Sequence, residues 1–118
     1  MITVENLTKT YGSRRAVDDL SFEIHPGRVT GFVGPNGSGK STTMRMMVGL
    51  TRPDHGHVHY SGTPYHHLRR PIETIGAALD ASAHPGRTAR NHLRTMCAAS
   101  GLPGSRADAV LDLSLIHI

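Results

Sequence analysis

Gly34-Pro35-Asn36-Gly37-Ser38-Gly39-Lys40-Ser41 follows the spacing G-x-x-x-x-G-K-[ST], the pattern of a loop that cradles phosphate groups. Composition alone would produce this pattern by accident in about 0.4% of chains of this length. Lys40 is one of only two lysines, with Lys9, among thirteen Lys and Arg residues, so position 40 calls for an ammonium. The residue types match the chemistry. Glycines let phosphate oxygens approach successive backbone N–H groups and tolerate the dihedrals this requires. A helix opening at Lys40 would direct its unsatisfied N–H groups and positive dipole end toward the anion. Lys40 would then reach the β- and γ-phosphates of a nucleoside triphosphate, and the Ser41 hydroxyl would ligate Mg²⁺. A plain glycine-rich turn explains the glycines but not the Lys-Ser pair. The spacing of Gly34, Gly37 and Gly39 does not fit the G-x-G-x-x-G of a dinucleotide site.

Other chemistry-bearing residues make weaker patterns. His55, His57 and His59 alternate, so a strand would turn all three to one face, but such a row rarely closes a tetrahedral metal site unaided. A solvated edge strand explains them better. His66, His67 and His84 fall in loop contexts and His92 on a helix, all read as polar surface. Met44, Met46 and Met47 fit core packing, and Cys97 a small buried residue.

The elements that must hold the loop can be read around it. Residues 2–8 and 16–25 alternate apolar with polar, as half-buried strands do, with Leu20, Phe22 and Ile24 on one face. Pro26-Gly27 marks a turn. Residues 28–34, with Val29, Phe32 and Val33, read as a buried central strand. A helix follows from Lys40, with Met44, Met47 and Val48 at helical spacing and Gly49 and Pro53 ending it near residue 51. Strands are expected at 57–61 and 72–79. Helices are expected over Thr88–Ala99, with Leu93, Met96 and Cys97 on one face, and from Arg106 to Leu113.

The chain has 118 residues with 37% hydrophobic and 19% charged, a profile of one small globular domain. No apolar run approaches the ~20 residues of a membrane span. Met1 to Asn6 lack the basic start and apolar stretch of a secretory signal. The single cysteine fits a reducing compartment. These features predict a cytoplasmic protein. The net charge of +4 comes from dispersed arginines, paired only at Arg14–Arg15 and Arg69–Arg70. The sparse aromatics (Tyr11, Tyr60, Tyr65, Phe22 and Phe32) do not interleave with them, so no nucleic-acid partner is expected.

From Ile2 to about Leu113 the chain resembles the ATP-binding subunits of bacterial ABC transporters that serve separate membrane subunits. The resemblance is carried by Gly-Phe-Val-Gly-Pro-Asn-Gly-Ser-Gly-Lys-Ser-Thr-Thr at 31–43, Gly49-Leu50 with Pro53 and Gly56, Ile75-Gly76, and Asn91-His92-Leu93. It implies an α/β P-loop NTPase fold of ABC type, incomplete here, with an antiparallel β flap and the start of a helical subdomain. Residues 1–79 would belong to the nucleotide-binding core and 80–113 to a loop at Asp80 and that helical start, with 114–118 unlike the family. It implies ATP and Mg²⁺ as cofactors, bound by Gly34, Pro35, Asn36, Gly37, Ser38, Gly39, Lys40, Ser41 and Thr42. Tyr11 would stack on adenine, a role that suits an aromatic face.

The family usually carries Gln where this chain has Asp80. A carboxylate there could join Ser41 at Mg²⁺ but cannot donate a hydrogen bond, and an exposed loop carboxylate is the equal alternative. No segment resembles the family's signature loop or its Walker B strand, and His117 lacks the context of its switch histidine. The resemblance therefore implies an N-terminal fragment, inactive alone, of an ATP hydrolase. The parent would be peripheral on the inner face of the cell membrane. It would power transport, of export type, through membrane-spanning permease subunits and pair with a second ATP-binding subunit. An ABC-type ATPase acting on DNA or ribosomes is the alternative. A P-loop kinase fits less well, because the loop lies deep in the chain in a Pro-Asn-Gly context.

Overall fold

The computed structural model describes residues 1–79 and 86–113. They fall into two compact units that divide after Leu79. The first is built on an antiparallel sheet of β1 (Ile2–Tyr11), β2 (Arg14–Ile24), β3 (His55–Tyr60) and β4 (Thr63–Pro64), in the order β2-β1-β3-β4. The helix α1 (Lys40–Met47) packs on it, followed later by a 3-10 turn at Tyr65–His67 and the short α2 (Pro71–Thr74).

β1 does not keep a simple alternation. Residues 4 and 7 of a regular strand point to opposite faces, yet Val4 and Leu7 are both buried. The β1–β2 register shifts between them. Asn6 and Asp19 take positive φ at the irregularity, a conformation Asn and Asp tolerate better than most residues. Their side chains join there: Asn6 Nδ2 donates to Asp19 Oδ1 at 2.8 Å, Asn6 N to Ser21 Oγ at 2.9 Å, and Asp19 N to Thr8 Oγ1 at 3.0 Å. An extra residue in the ladder changes the phase of the strand and returns Leu7 to the core. β3 crosses the same place at Gly56, φ +81, where a Cβ would overlap the carbonyl oxygens of Glu5 and Asn6.

The core gathers Val4, Leu7, Val17, Met46, Val58 and Tyr60. α1 buries Thr43 and Met46, while Met44 is exposed, so its inward face is offset from the expected Met44–Met47–Val48 stripe. The helix also stops at Met47, earlier than expected. Gly49 N–H bonds the Met46 carbonyl at 3.3 Å and Leu50 N–H the Arg45 carbonyl at 2.9 Å, with Gly49 left-handed. This glycine-closed terminus satisfies the last carbonyls. The Tyr65 ring lies where a Gly49 side chain would be, and the Tyr60 hydroxyl donates to the Met47 carbonyl.

Two expected strands do not form. Residues 28–34 join no sheet, and Val29 and Val33 are exposed. Phe32 packs on Phe22 at 5.6 Å between ring centroids. A central strand needs hydrogen-bonding neighbours, and no strand among the described residues pairs with this segment. Residues 72–79 instead open as α2, with Pro71 at its first position, and run on from Ile75 without a ladder. β3 is not an edge strand either, because β1 and β4 flank it.

In the second unit α3 (Ala89–Ser100) and α4 (Ser105–Leu113) bury Cys97, Ala107 and Leu111. Thr88 caps α3 by accepting from Asn91 N–H at 3.1 Å, and left-handed Gly101 closes it. Asp108 of α4 meets Arg90 at 2.9 Å and Arg94 at 3.6 Å. Met96, expected on the inner face with Cys97, is exposed. Among the described residues no helix is long and apolar enough to cross a membrane.

Candidate functional site

α1 begins without a side-chain cap. Gly39 at its N-cap is left-handed, φ 93, and a Cβ there would overlap the Ala16 carbonyl oxygen and crowd Val17. Only glycine lets the loop run this close to β2. The Gly39 carbonyl accepts from Thr43 N–H at 2.9 Å and from Thr43 Oγ1 at 2.8 Å, which turns the chain into the helix. Upstream, Ser38 N–H closes a turn onto the Pro35 carbonyl at 3.1 Å, and a Cβ on Gly34 would meet Ser38 Oγ at 2.7 Å. The Lys40 ammonium folds back to donate to the Gly34 carbonyl. The loop thus wraps its own lysine.

A cleft of about 370 Å³ opens at this helix start, lined by Tyr11, Arg14 and Ala16 from the hairpin and by Asn36, Gly37, Gly39, Lys40, Ser41 and Thr42. Tyr11, Asn36, Gly37, Gly39, Lys40, Ser41 and Thr42, all predicted from sequence, meet here. Gly34, Pro35 and Ser38 shape the loop without lining the cleft. Asp80, predicted on the Mg²⁺ side, lies outside the described residues, as do His84 and His117.

Arg14 is a cleft residue that sequence reasoning placed on the surface. Its guanidinium donates to the Gly37 carbonyl at 3.2 Å and ties the β1–β2 hairpin to the loop. Hairpin register is the signal that finds it: Tyr11 pairs with Arg14 across the Gly12-Ser13 turn. The cleft therefore holds two full positive charges, Arg14 and Lys40, and no carboxylate among its described lining residues. The ammonium, the guanidinium, the Ser41 and Thr42 hydroxyls and the uncapped helical N–H groups form a donor set for a polyphosphate.

The remaining candidates assemble nothing comparable. His57 stacks on His59 at 4.3 Å and meets Glu5 at 3.0 Å. Among the described residues no group of three His, Cys, Asp or Glu side chains could hold a metal ion. A larger, mainly apolar groove of about 620 Å³ lies at the opposite end of α1, near Met46, Gly49, Val58 and Tyr65. Its lining includes no residue of the 34–42 loop.

Residues 17–113 match the family model described as ABC transporter. The Nod factor export ATP-binding protein I of Ralstonia nicotianae is 36% identical over 107 residues, which cover 89% of this chain and 33% of that protein. The energy-dependent translational throttle protein EttA of Haemophilus influenzae is 53% identical over 58 residues, 49% of this chain and 10% of that one. A solved ATP-binding subunit of an ABC transporter superposes with a TM-score of 0.64 at 26% identity, covering 86% of this chain and 43% of its own. The chain thus spans about a third of the Nod factor export relative and a tenth of the throttle protein. With the family model matched from the second strand to the end of α4, the chain belongs to the ABC transporter family and carries its P-loop nucleotide-binding type of fold.

Proposed function

We propose that this chain binds ATP with Mg²⁺ at the cleft, as part of the ATPase subunit of a transporter. The observation that supports this best is the meeting of Tyr11 with the uncapped start of α1 in one cation-rich cleft. In this reading the backbone of residues 34–42 surrounds the phosphates. Lys40 releases the Gly34 carbonyl for the β- and γ-phosphate oxygens, and Arg14 adds a second cation at the loop. Ser41 holds Mg²⁺, with Asp80 as the proposed second residue on that side, and Tyr11 stacks on adenine. The metal, when bound, draws negative charge off the phosphate oxygens.

The described cleft can hold a triphosphate, but none of its described lining residues is a carboxylate or imidazole that could orient an attacking water. Positioned donors and a water-orienting group supply most of the rate in phosphoryl transfer. Hydrolysis therefore belongs to the assembled protein, paired with a second ATP-binding subunit. The 118-residue chain alone should release no phosphate at a useful rate.

Similarity to a Nod factor export protein over 89% of the chain supports export across the cytoplasmic membrane. The partners would be membrane-spanning permease subunits, and the protein would lie on the inner membrane face through them. The short, 53% identical match to a translational throttle protein supports a second reading, an ABC-type ATPase working on ribosomes.

Calorimetry on Lys40→Ala tests the binding reading. ATP affinity should fall by about 1.5–3 kcal/mol, the value of a charge-assisted hydrogen bond, and equal affinity in a folded variant overturns it. Co-purification with a membrane fraction against co-sedimentation with ribosomes separates the two cellular readings.

A further inference from the structure

Lys9, the lysine the phosphate loop does not use, sits over Tyr11 with its Nζ 5.3 Å from the ring centroid. Residues i and i+2 of a strand share a face, so the long Lys9 stem lies along the side from which Tyr11 projects. The Lys9 side chain is only 17% exposed, and its ammonium pairs with Asp54 Oδ1 at 3.5 Å. Asp54 stands 45 residues away in sequence, yet it is tied to β1 three times. Its own N–H donates to the Thr8 carbonyl at 2.9 Å, its Oδ2 accepts from Thr10 N–H at 2.7 Å, and its Oδ1 faces Lys9. One aspartate thus holds Thr8, Lys9 and Thr10, the three residues that lead into Tyr11.

We infer that Lys9 and Asp54 are positioning residues that set the Tyr11 ring for a base, with Lys9 covering one face and Asp54 fixing both Lys9 and the strand end. Tyr11 itself is half exposed at the last position of β1, where a ring without such support would sample several rotamers. Holding it beforehand removes part of the ordering cost of binding. An ammonium over one face also leaves a single face open, so the base has one way to stack. The Asp54 carboxyl is held below its ordinary value, chiefly by the Thr10 N–H and further by Lys9, so it stays anionic for this task at neutral pH.

The inference rests on the reading of Tyr11 as the adenine-stacking residue. Its test compares, in the full chain, calorimetric affinities for Mg²⁺-ATP and for Mg²⁺-tripolyphosphate, which has the phosphates without a base. Lys9→Met keeps the apolar stem and removes the cation. It should weaken ATP binding about two- to fivefold, the range of an exposed cation–π contact, and leave tripolyphosphate affinity unchanged. Lys9→Arg should restore the ATP value. Asp54→Asn keeps an acceptor for Thr10 N–H and loses the charge that holds Lys9, so it should shift the same ratio in the same direction. If Tyr11→Ala lowers the ratio of ATP to tripolyphosphate affinity and Lys9→Met does not, the inference falls and the stacking reading stands. If Tyr11→Ala also leaves the ratio unchanged, both fall. Equal loss of both ligands in Lys9→Met overturns the inference too, because it would show a general charge effect.

Discussion

Val4 and Val33 are the same residue type in segments that both read as strands, and they end in opposite environments. Val4 is 1% exposed and Val33 is 92% exposed. β1 has β2 and β3 on either side, α1 above it, and Leu7, Val17, Val58 and Tyr60 around it. Residues 28–34 have the Phe22–Phe32 contact and no ladder. Apolar content makes a strand possible, but burial depends on neighbours that hydrogen-bond and pack with it. The core of the first unit therefore gathers on the sheet, and the loop of residues 34–42 takes its shape from local glycine geometry and from where β2 and α1 abut.

Four measurements can break or sharpen that contrast. Leu7 is fully buried, so Leu7→Ala should lower unfolding stability by about 2–5 kcal/mol in denaturant titration, and a much smaller loss would place the core elsewhere. Gly39→Ala should act on the loop instead. A side chain must move away from the Ala16 carbonyl and take a left-handed φ, with strain of about 1–3 kcal/mol. ATP affinity should fall accordingly, while the unfolding of the sheet followed by circular dichroism changes less than in Leu7→Ala.

Tyr60 joins sheet to helix. Tyr60→Phe removes its hydrogen bond to the Met47 carbonyl and should cost about 1 kcal/mol. Burial pushes the Tyr60 hydroxyl up to about 12 from an ordinary 10.0. The folded state thus keeps a proton that the unfolded state gives up first. This contribution is complete below about pH 10 and is lost as pH rises from there through about 12. Alkaline unfolding should begin at higher pH in Tyr60→Phe, and an identical alkaline midpoint would show that this hydroxyl is not the group that titrates. Smallest of all should be Val33→Ser. A side chain already in water changes stability by no more than about 0.5 kcal/mol, and a core-sized loss would show that residues 28–34 are buried in solution.

Much of the candidate site was legible because its logic is local. The Gly-Lys-Ser sequence at 39–41 requires a tight turn into a helix start, and the helix begins at Lys40. Gly49 terminates it through its own left-handed backbone. The three long strands and the two helices of the second unit were visible in periodicity to within a few residues. Arg14 was missed because charge counts do not contain register. The inward face of α1 was misjudged because three methionines within four positions offer several apolar stripes, and only the sheet selects Met46. The phase change at Asn6 broke the simple alternation of β1, and it could have been read from the three-residue interval between Val4 and Leu7.

Residue types and short spacings by themselves determined the phosphate loop, the start of α1 at Lys40 and the alternating strands around them. Those features depend on dihedral preference and on hydrogen bonds within a few residues, which adjacent side chains control. Only the tertiary structure decided that Tyr11 and Arg14 reach the start of α1, that Asp54 holds the end of β1 from 45 residues away, and that residues 28–34 remain unpaired. Each of these depends on which segments pack together, and packing is settled by contacts between residues far apart in the chain.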